Sequence, residues 1–117
     1  MIDKLYKIAE ALNVRFADGN DPFKIVTRLA EECGEVAAEV NHFEGMGVKA
    51  DKLGAPDEKK LAKELAQVIG AVLHLAMYYS VQDELATYVD QTYRRVISEG
   101  LVEPLADRIV KTDEQEG

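Results

Sequence analysis

The most apolar stretch of the chain, residues 65–79, most strongly limits what this sequence can fold into. Gln67 and His74 interrupt it, and it is too short to span a bilayer. A helix that is apolar nearly all round is buried among other helices. We therefore predict a central helix that begins near Asp57 and carries this stretch. This helix has more apolar surface than a single small bundle readily covers. We therefore expect a homo-oligomer, in which a second copy covers the remainder.

Apolar residues recur at helical spacing in three further segments, and no segment alternates convincingly as a strand would. The sequence therefore predicts an all-α domain over residues 1–100. A C-terminal extension, residues 101–117, is predicted to have an acidic, disordered end. Residues 45–56 form the longest break in the pattern, which is typical of a functional or mobile loop. The four predicted helices run from Ile2 to about Phe16, from Pro22 (after Asp21 as N-cap) to near Gly45, from about Asp57 to Tyr79, and from after Ser80 to before Gly100.

The second and third predicted helices each carry an apolar stripe that should face the core. Cys33 falls on the first of these stripes, so we expect it to be a small buried residue. It is the only cysteine, which excludes an internal disulfide and fits a reducing cytosol. The stripe of the second helix consists of Val26, Leu29, Cys33, Val36, Val40 and Phe43, and that of the third consists of Leu61, Leu65, Val68, Val72, Leu75 and Tyr79.

The charge balance restricts the partners of the chain. The 14 basic and 22 acidic residues give a net charge of −8 at pH 7, which disfavours contacts with the phosphate backbone of a nucleic acid. The first residues lack the apolar core of a signal peptide. We therefore expect a cytoplasmic protein with no nucleic-acid partner and no membrane partner. A nucleotide that carries its own metal ion is not excluded.

Acidic residues are concentrated on the second predicted helix. Glu31, Glu32 and Glu35 lie within one short run, and Glu39 follows one turn after Glu35. Like charges at this spacing repel and slightly destabilise a helix unless a cation lies among them. Mg²⁺ would relieve the repulsion, since it binds carboxylate oxygens and keeps waters for a phosphate substrate. An ordinary solvated acidic face is the alternative.

The third helix carries a matching pair of polar residues. A helix turns about 100° per residue, which places Glu32 about 80° and Glu35 about 140° from the apolar stripe of their helix. Glu64 and Gln67 take the same offsets from the stripe of the third helix. Two helices packed along their stripes would therefore present both pairs to one cleft. His74 follows on the same side of its helix, where we expect a hydrogen-bonded core histidine.

These residues resemble the signature of MazG-type nucleoside triphosphate pyrophosphohydrolases, which are all-α enzymes. That signature is E-E-x-x-E, a spacer and E-x-x-D. The chain has Glu31-Glu32-x-x-Glu35 and, after 28 residues, Glu64-x-x-Gln67, and the resemblance covers about residues 22–97. It implies a four-helix bundle assembled as a homodimer or homotetramer. It also implies hydrolysis of a nucleoside triphosphate to the monophosphate and pyrophosphate.

The same resemblance implies roles for individual residues. Glu32, Glu35, Glu64 and Gln67 would bind Mg²⁺, with Mn²⁺ as an alternative metal. Glu31 would orient or deprotonate the attacking water. Gln67 departs from the family's aspartate: its carbonyl oxygen can bind Mg²⁺ but brings no negative charge, so metal affinity should fall.

Four basic residues could contact the substrate phosphates. Arg94 and Arg95 on the fourth helix are candidates for binding the substrate phosphates, and a plain surface role fits each at least as well. Lys49 and Lys52, in the long break, are expected to be solvated, although they could close over a substrate.

Two functions of other classes stay open. Glu39-x-x-His42 matches one ligand unit of a di-iron carboxylate bundle, whose second unit only a homodimer could supply. Gln67 in place of an aspartate also fits a catalytically silent helical module for assembly or regulation. Within the enzyme hypothesis, Glu39 or Glu31 is the alternative residue that would complete the metal site.

Overall fold

The structure is a computed structural model that describes residues 1–106, apart from the side chain of Ala50. This part of the chain is helical and contains no strand, which confirms the predicted all-α class. The chain divides into two compact units between Asp83 and Glu84, and the single domain over residues 1–100 stays a prediction. The acidic, disordered end predicted for the C-terminal extension, residues 111–117, lies outside the described residues.

Five α-helices make up most of the described residues. The four predicted helices are present, with ends within a few residues of those expected. The fifth, α3, is short and lies in the break predicted after Gly45. The helices are α1 (Ile2–Arg15), α2 (Pro22–Phe43), α3 (Gly47–Leu53), α4 (Glu58–Tyr78) and α5 (Gln82–Ser98), and a 3₁₀ turn (Ala17–Gly19) lies between α1 and α2.

Side-chain caps fix where the two long helices α2 and α4 begin. Asp21 Oδ1 accepts hydrogen bonds from the backbone N–H groups of Phe23 at 2.9 Å and Lys24 at 3.0 Å, which confirms the predicted N-cap. Asp57 accepts one from the amide two residues later, at 2.9 Å. These caps satisfy amides that have no partner within the helix. The starting points of α2 and α4 are therefore fixed locally by the sequence.

In the first unit, α4 packs against both α1 and α2, and α3 packs against α2. The third predicted helix thus packs against two long helices, but residues 65–79 are not buried all round, because Leu65 and Val72 are exposed. Ala9 of α1, Ile25 of α2 and Ala71 and Ala76 of α4 are buried. Helix axes approach most closely where the contact residues are small, so polar side chains of facing helices can meet.

The buried sides of α2 and α4 differ from the predicted stripes. Leu65, Val72 and Tyr79 of the third-helix stripe are 45%, 40% and 59% exposed. Val26 and Val40 of the second-helix stripe are exposed as well. Because positions seven residues apart share one side of a helix, these residues form an exposed apolar stripe on α2 and another on α4. We call them the exposed stripes.

Polar residues occupy much of the buried side instead. Glu39 and His42 of α2 and Glu64 and His74 of α4 are buried, and each has a polar partner. A buried polar group is tolerated when it is hydrogen-bonded, so these partners let the polar sides of the helices face inward. The prediction that Cys33 lies in the core is wrong, because Cys33 is on the side turned outward and is exposed.

The second unit contains most of α5. No residue of α5 is buried, and Arg94 Nε lies 3.1 Å from Asp90 Oδ2, one turn earlier. Gly100 follows the helix with a φ of 74°, a left-handed conformation that glycine adopts without strain and that often ends helices. None of the described helices is long and apolar enough to cross a membrane.

Candidate functional site

Glu32 of α2 and Glu64 of α4 meet across the packed pair of helices, with Gln67 beside them. With its NH₂ group turned toward the carboxylates, the Gln67 amide donates to Glu32 Oε2 at 2.8 Å and to Glu64 Oε2 at 3.2 Å. The carbonyl end would repel both oxygens at this position. Glu64 is buried and Glu32 is half-buried. The structure thus brings together three of the four predicted metal ligands, which we call the Glu32–Glu64–Gln67 cluster.

The cluster carries negative charge that no cation of the described chain neutralises directly. Desolvation raises the pKa of Glu32 above its ordinary value of 4.5, and the adjacent Glu64 carboxylate raises it further. Glu35 adds repulsion, and the guanidinium of Arg28 opposes the rise. Within residues 1–106, neither Glu32 nor Glu64 forms an ion pair with a lysine, arginine or histidine. Two carboxylates held this way favour a proton or a cation between them.

Glu35, the fourth predicted ligand, is exposed but near enough to affect the pKa of Glu32. No group of three or more His, Cys, Asp or Glu side chains in the described residues is arranged to hold a metal ion. The cluster itself has two carboxylates and one amide, so its third oxygen donor is the carbonyl of Gln67 once the amide rotates. A metal ion there must replace the two hydrogen bonds that Gln67 donates.

The donor set of the cluster fits a hard divalent cation. Mg²⁺ is commonly held by one or two carboxylates and retains several waters. Glu32 and Glu64 supply the carboxylates, Gln67 can supply a neutral oxygen, and Glu35 lies on the next turn of α2. Metals that require thiolates or several imidazoles have no such ligands in the cluster. The residues present therefore fit Mg²⁺ or Mn²⁺.

Three further residues are predicted to act on water or on the substrate phosphates. Glu31 is exposed and lines a shallow depression on α2 together with Arg28. Arg94 and Arg95 belong to α5, where Arg94 pairs with Asp90 and Arg95 is exposed. The roles of Glu31, Arg94 and Arg95 stay predictions.

A second carboxylate of α2, Glu39, lies two turns beyond Glu32 and is fully buried. It accepts a hydrogen bond from Lys49 of α3, and Lys60 Nζ of α4 lies 3.7 Å from the same oxygen. The hydrogen bond from Lys49 lowers the pKa of Glu39, although burial opposes the shift. Glu39 is thus neutralised by two lysines and does not complete the metal cluster. Lys49, expected to be solvated, is instead held by this carboxylate.

His42 shares the buried side of α2 with Glu39. Its Nε2 atom lies 2.6 Å from the backbone carbonyl oxygen of Gly54, to which it donates. Both residues of the Glu-x-x-His pattern are therefore engaged, Glu39 with lysines and His42 with the end of α3. In the described residues no group of three or more His, Cys, Asp or Glu side chains is arranged to hold a metal ion, so the structure gives the di-iron hypothesis no support.

His74 is buried and hydrogen-bonded on both ring nitrogens, which confirms the predicted core histidine. Its Nε2 lies 2.6 Å from Asn13 Oδ1 of α1, and its Nδ1 lies 3.1 Å from Arg28 Nη2 of α2. Asn13 Oδ1 can only accept a hydrogen bond, so His74 Nε2 carries the proton and donates it. The guanidinium of Arg28 can only donate, so His74 Nδ1 accepts from it. Desolvation and the nearby Arg28 lower the pKa of His74, which keeps the ring neutral.

Arg28 is the residue near the cluster that the sequence did not single out. It precedes Glu32 by one helical turn, and side chains four residues apart on a helix are neighbours. This spacing was the signal that could have placed Arg28 beside the cluster. Among residues 1–106, no carboxylate forms an ion pair with its guanidinium. Arg28 is therefore a half-buried cation fixed mainly by a neutral imidazole.

A cavity of about 320 Å³ lies where α1, α2 and α4 meet, directly beside the cluster. Glu32 and Gln67 belong both to the cluster and to the wall of this cavity, and Arg28 and Lys63 line it as well. Its apolar wall comes mainly from α1, through Leu5, Ile8, Ala9 and Leu12. We call it the α1–α2–α4 cavity.

The MazG-type resemblance has no independent support from other proteins. Comparison of the chain with family models, with curated proteins and with solved structures finds no match.

Proposed function

We propose that the protein is a Mg²⁺-dependent hydrolase that converts nucleoside triphosphates to monophosphates and pyrophosphate in the cytoplasm. One observation carries the proposal: Glu32 and Glu64 converge from two helices without a neutralising ion pair in the described chain. Glu32 and Glu64 therefore repel each other in the folded protein, whereas Glu39 on the same helix is neutralised by lysines. A site that binds cations would explain why the repulsion is retained.

The chain's own residues have separate tasks in this reaction. Glu32, Glu35, Glu64 and the carbonyl of Gln67 would hold Mg²⁺ or Mn²⁺. The metal, when bound, neutralises phosphate charge and polarises the phosphoryl oxygens. Glu31 is the candidate to accept a proton from the attacking water. That water would bond to the α- or β-phosphorus as the bond from that phosphorus to the bridging oxygen breaks, which leaves monophosphate and pyrophosphate.

Arg94 and Arg95 are the candidates for contacts with the substrate phosphates. Guanidinium groups suit this task because each presents several N–H donors in one plane and stays charged. The ion pair between Arg94 and Asp90 would have to open for Arg94 to bind a phosphate. An exposed pair of this kind contributes little stability, so its loss would not oppose substrate binding strongly.

The proposal includes a four-helix bundle that assembles as a homodimer or homotetramer. The exposed stripes support assembly, because Val26, Val40, Leu65 and Val72 are large apolar residues left partly in water. Stripes that repeat every seven residues are suited to packing against further helices. Sedimentation equilibrium tests assembly, and a monomer at micromolar concentration contradicts it.

The reaction is tested by measuring the products formed from a panel of ribo- and deoxyribonucleoside triphosphates. We expect pyrophosphate release with Mg²⁺ or Mn²⁺ from at least one nucleotide, and loss of release with EDTA. Orthophosphate as the sole product, or activity that survives EDTA, would rule out the proposed mechanism.

A second candidate function is a catalytically silent helical module, and one observation favours it. Gln67 donates hydrogen bonds to both Glu32 and Glu64 and so partly stabilises the cluster without any metal. Absence of turnover with every nucleotide, combined with Mg²⁺ binding no tighter in the wild type than in a Glu64→Gln variant, would favour this module.

A further inference from the structure

We propose that the α1–α2–α4 cavity binds the base of the nucleotide and that Arg28 selects bases with carbonyl oxygens. The inference rests on the proposed function, which supplies the ligand class. It concerns a part of the substrate that the Glu32–Glu64–Gln67 cluster cannot distinguish, since all nucleoside triphosphates carry the same triphosphate.

The position and lining of the cavity support a base as its occupant. Glu32 and Gln67 belong to both the cluster and the cavity wall, so a ligand held by its phosphates at the cluster can extend into the cavity. A volume of about 320 Å³ lies at the lower end of small-molecule sites. Leu5 and Leu12 supply apolar surface for a flat ring. Ile8 is 54% exposed, which shows that the cavity is open to solvent at its rim.

A phosphate group fits the same cavity less well. The Glu32 carboxylate lines the wall and would repel an anion that lacks a metal. The aliphatic side chains of α1 offer a phosphate no hydrogen bond, and burying an unpaired charge against them is costly. Arg28 and Lys63 are the cations in the wall. A neutral ring with acceptor atoms can accept hydrogen bonds from Arg28, and it is not repelled by the Glu32 carboxylate because it carries no charge.

Arg28 is positioned to donate into the cavity. One of its Nη atoms donates to His74 Nδ1, and His74 is itself fixed by Asn13. These contacts join α1, α2 and α4, so the orientation of the guanidinium depends on the packing of the helices that form the cavity. A guanidinium has five N–H donors and no acceptor. With one Nη–H used by His74, the remaining donors are available to a ligand.

The donor-only character of Arg28 sets the class of base. Guanine presents O6 and N7 as two adjacent acceptors, which arginine binds in a bidentate manner, and the 4-oxo group of uracil and thymine also accepts. The exocyclic amino groups of adenine and cytosine are donors and would face another donor. Arg28 therefore favours 6-oxopurines and 4-oxopyrimidines over 6-amino and 4-amino bases.

Nucleoside binding tests this inference without requiring turnover or metal. We would titrate guanosine, uridine, adenosine and cytidine into the metal-free protein and follow backbone amide shifts by NMR. Guanosine and uridine should bind at least about tenfold more tightly than adenosine and cytidine, respectively. The shifts should centre on residues 5–12 of α1 and residues 63–70 of α4. Equal affinities, or shifts centred on another surface, would overturn the inference.

Two glycine substitutions test whether the base occupies the cavity. Gly70 lines the cavity, and a Cβ atom added there meets no atom within 4 Å. Gly70→Leu should therefore fold, because leucine also favours helix, and should weaken guanosine binding at least about tenfold by filling the cavity. Gly34→Leu is the matched control, since Gly34 is helical, exposed and equally unobstructed. Guanosine binding that survives Gly70→Leu would contradict a base in the cavity.

Substitutions of Arg28 and His74 test the selection itself. Arg28→Gln provides both a donor and an acceptor, so the preference for guanosine over adenosine should fall to about twofold or less. His74→Gln can still accept from the guanidinium and donate to Asn13, so it should keep most of the preference, whereas His74→Leu should lose it. A purely structural role of His74 would lower all affinities together and leave their ratio unchanged, which would overturn its assignment as a positioning residue.

The failure of this inference can be told apart from failure of the proposed function. Pyrophosphate release without a preference among bases would retain the hydrolase and overturn the role of Arg28. Selective binding of guanosine and uridine without any turnover would retain base recognition and overturn the hydrolase. Binding of inorganic pyrophosphate, but of no nucleoside, to wild type and not to Arg28→Gln would assign the cavity to phosphate and overturn the inference.

Discussion

Two carboxylates on the same side of α2 have opposite environments. Glu32 faces Glu64 and Gln67 and forms no ion pair within the described residues, and its pKa is raised by desolvation and by Glu64. Glu39, two turns further, is fully buried, yet its pKa is lowered because Lys49 donates to it and Lys60 lies near.

The difference shows that lysines of α3 and α4 are available where a carboxylate of α2 must be stabilised. Lys49 and Lys60 converge on Glu39, while the nearby pair of Glu32 and Glu64 receives hydrogen bonds from the Gln67 amide and forms no ion pair within residues 1–106. A buried charge must be paired for the fold to tolerate it, whereas uncompensated charges in a cleft are characteristic of functional sites. We therefore interpret the region around Glu39 as structural and the cluster as functional.

The strongest test removes a carboxylate from the cluster. Glu64→Gln should lower kcat/KM for pyrophosphate release by roughly 100-fold or more, because changing even the outer neighbours of metal ligands costs about 10- to 100-fold. Glu58→Gln, an exposed position on the same helix, is the control and should retain wild-type rates. A Glu64→Gln variant that turns over normally would show that the cluster does not hold the metal ion of the reaction. Circular dichroism should show that both variants are folded.

The reciprocal test removes the neutralised carboxylate. Glu39→Gln should lower Tm by roughly 10 °C, because it leaves the half-buried Lys49 and the neighbouring Lys60 without the buried carboxylate that they share. Glu44→Gln, at the exposed end of α2, should change Tm by no more than about 3 °C. Thermal unfolding followed by circular dichroism measures both. A Glu39→Gln variant as stable as wild type would mean that the contrast between the two regions has no structural meaning.

A third substitution adds negative charge to the cluster and so increases its difference from the neutralised region around Glu39. Gln67→Asp replaces an amide that donates to two carboxylates with a third carboxylate, so metal-free Tm should fall by about 5 °C. Mg²⁺ should restore it by mass action, which gives the variant a steeper dependence of Tm on Mg²⁺ than wild type. The control is Gln91→Asp on α5, an exposed position. Parallel Mg²⁺ dependences for Gln67→Asp and wild type would remove Gln67 from the metal site.

The smallest expected effect is a difference in the pH dependence of stability. Glu32 has a raised pKa, so its ionised form costs stability in metal-free protein above that pKa, and the cost vanishes as pH falls below 4.5. Glu39 has a lowered pKa, so its contribution is present above 4.5 and is lost as pH falls through the lowered value. Glu32→Gln should thus raise metal-free Tm by about 2 °C at pH 7 and by less at pH 4.

Melts of Glu32→Gln, Glu39→Gln and wild type between pH 3 and pH 7 separate the two carboxylates. At pH 7, Glu39→Gln should lower Tm and Glu32→Gln should raise it. The decrease in Tm caused by Glu39→Gln should become smaller toward pH 3. Effects of the same sign at pH 7 would contradict the contrast on which the functional assignment depends.

The helices of this fold could be predicted from the sequence, but their buried sides could not. Periodic apolar residues and the Asp21 cap locate α2 and α4 because these signals are local. The predicted stripes that include Val40 and Val72 are partly exposed, since polar side chains such as Glu39 and His74 are accepted inside once they find partners. Those partners lie on other segments, which a count of apolar positions does not reveal.

The candidate site was predictable to a similar extent. The spacing predicted correctly that Glu32, Glu64 and Gln67 would meet, although the apolar stripes that served as the reference direction are partly exposed. The α1–α2–α4 cavity required knowledge of how α1 packs. The pairing of Lys49 with Glu39 required α3, a seven-residue helix that the pattern did not indicate because helices this short are marginal by themselves.

The attachment of α3 to α2 has a consequence for how the molecule opens. His42 holds the carbonyl of Gly54 after the last turn of α3, and Glu39 holds Lys49 in its first turn. A helix of this length gains little cooperativity from its own hydrogen bonds, so its amides should exchange with solvent together once these two tethers release. Such a sub-global opening need not separate α2 from α4. The segment that connects the two carboxylate-bearing helices can therefore unfold and refold while the helices themselves remain docked.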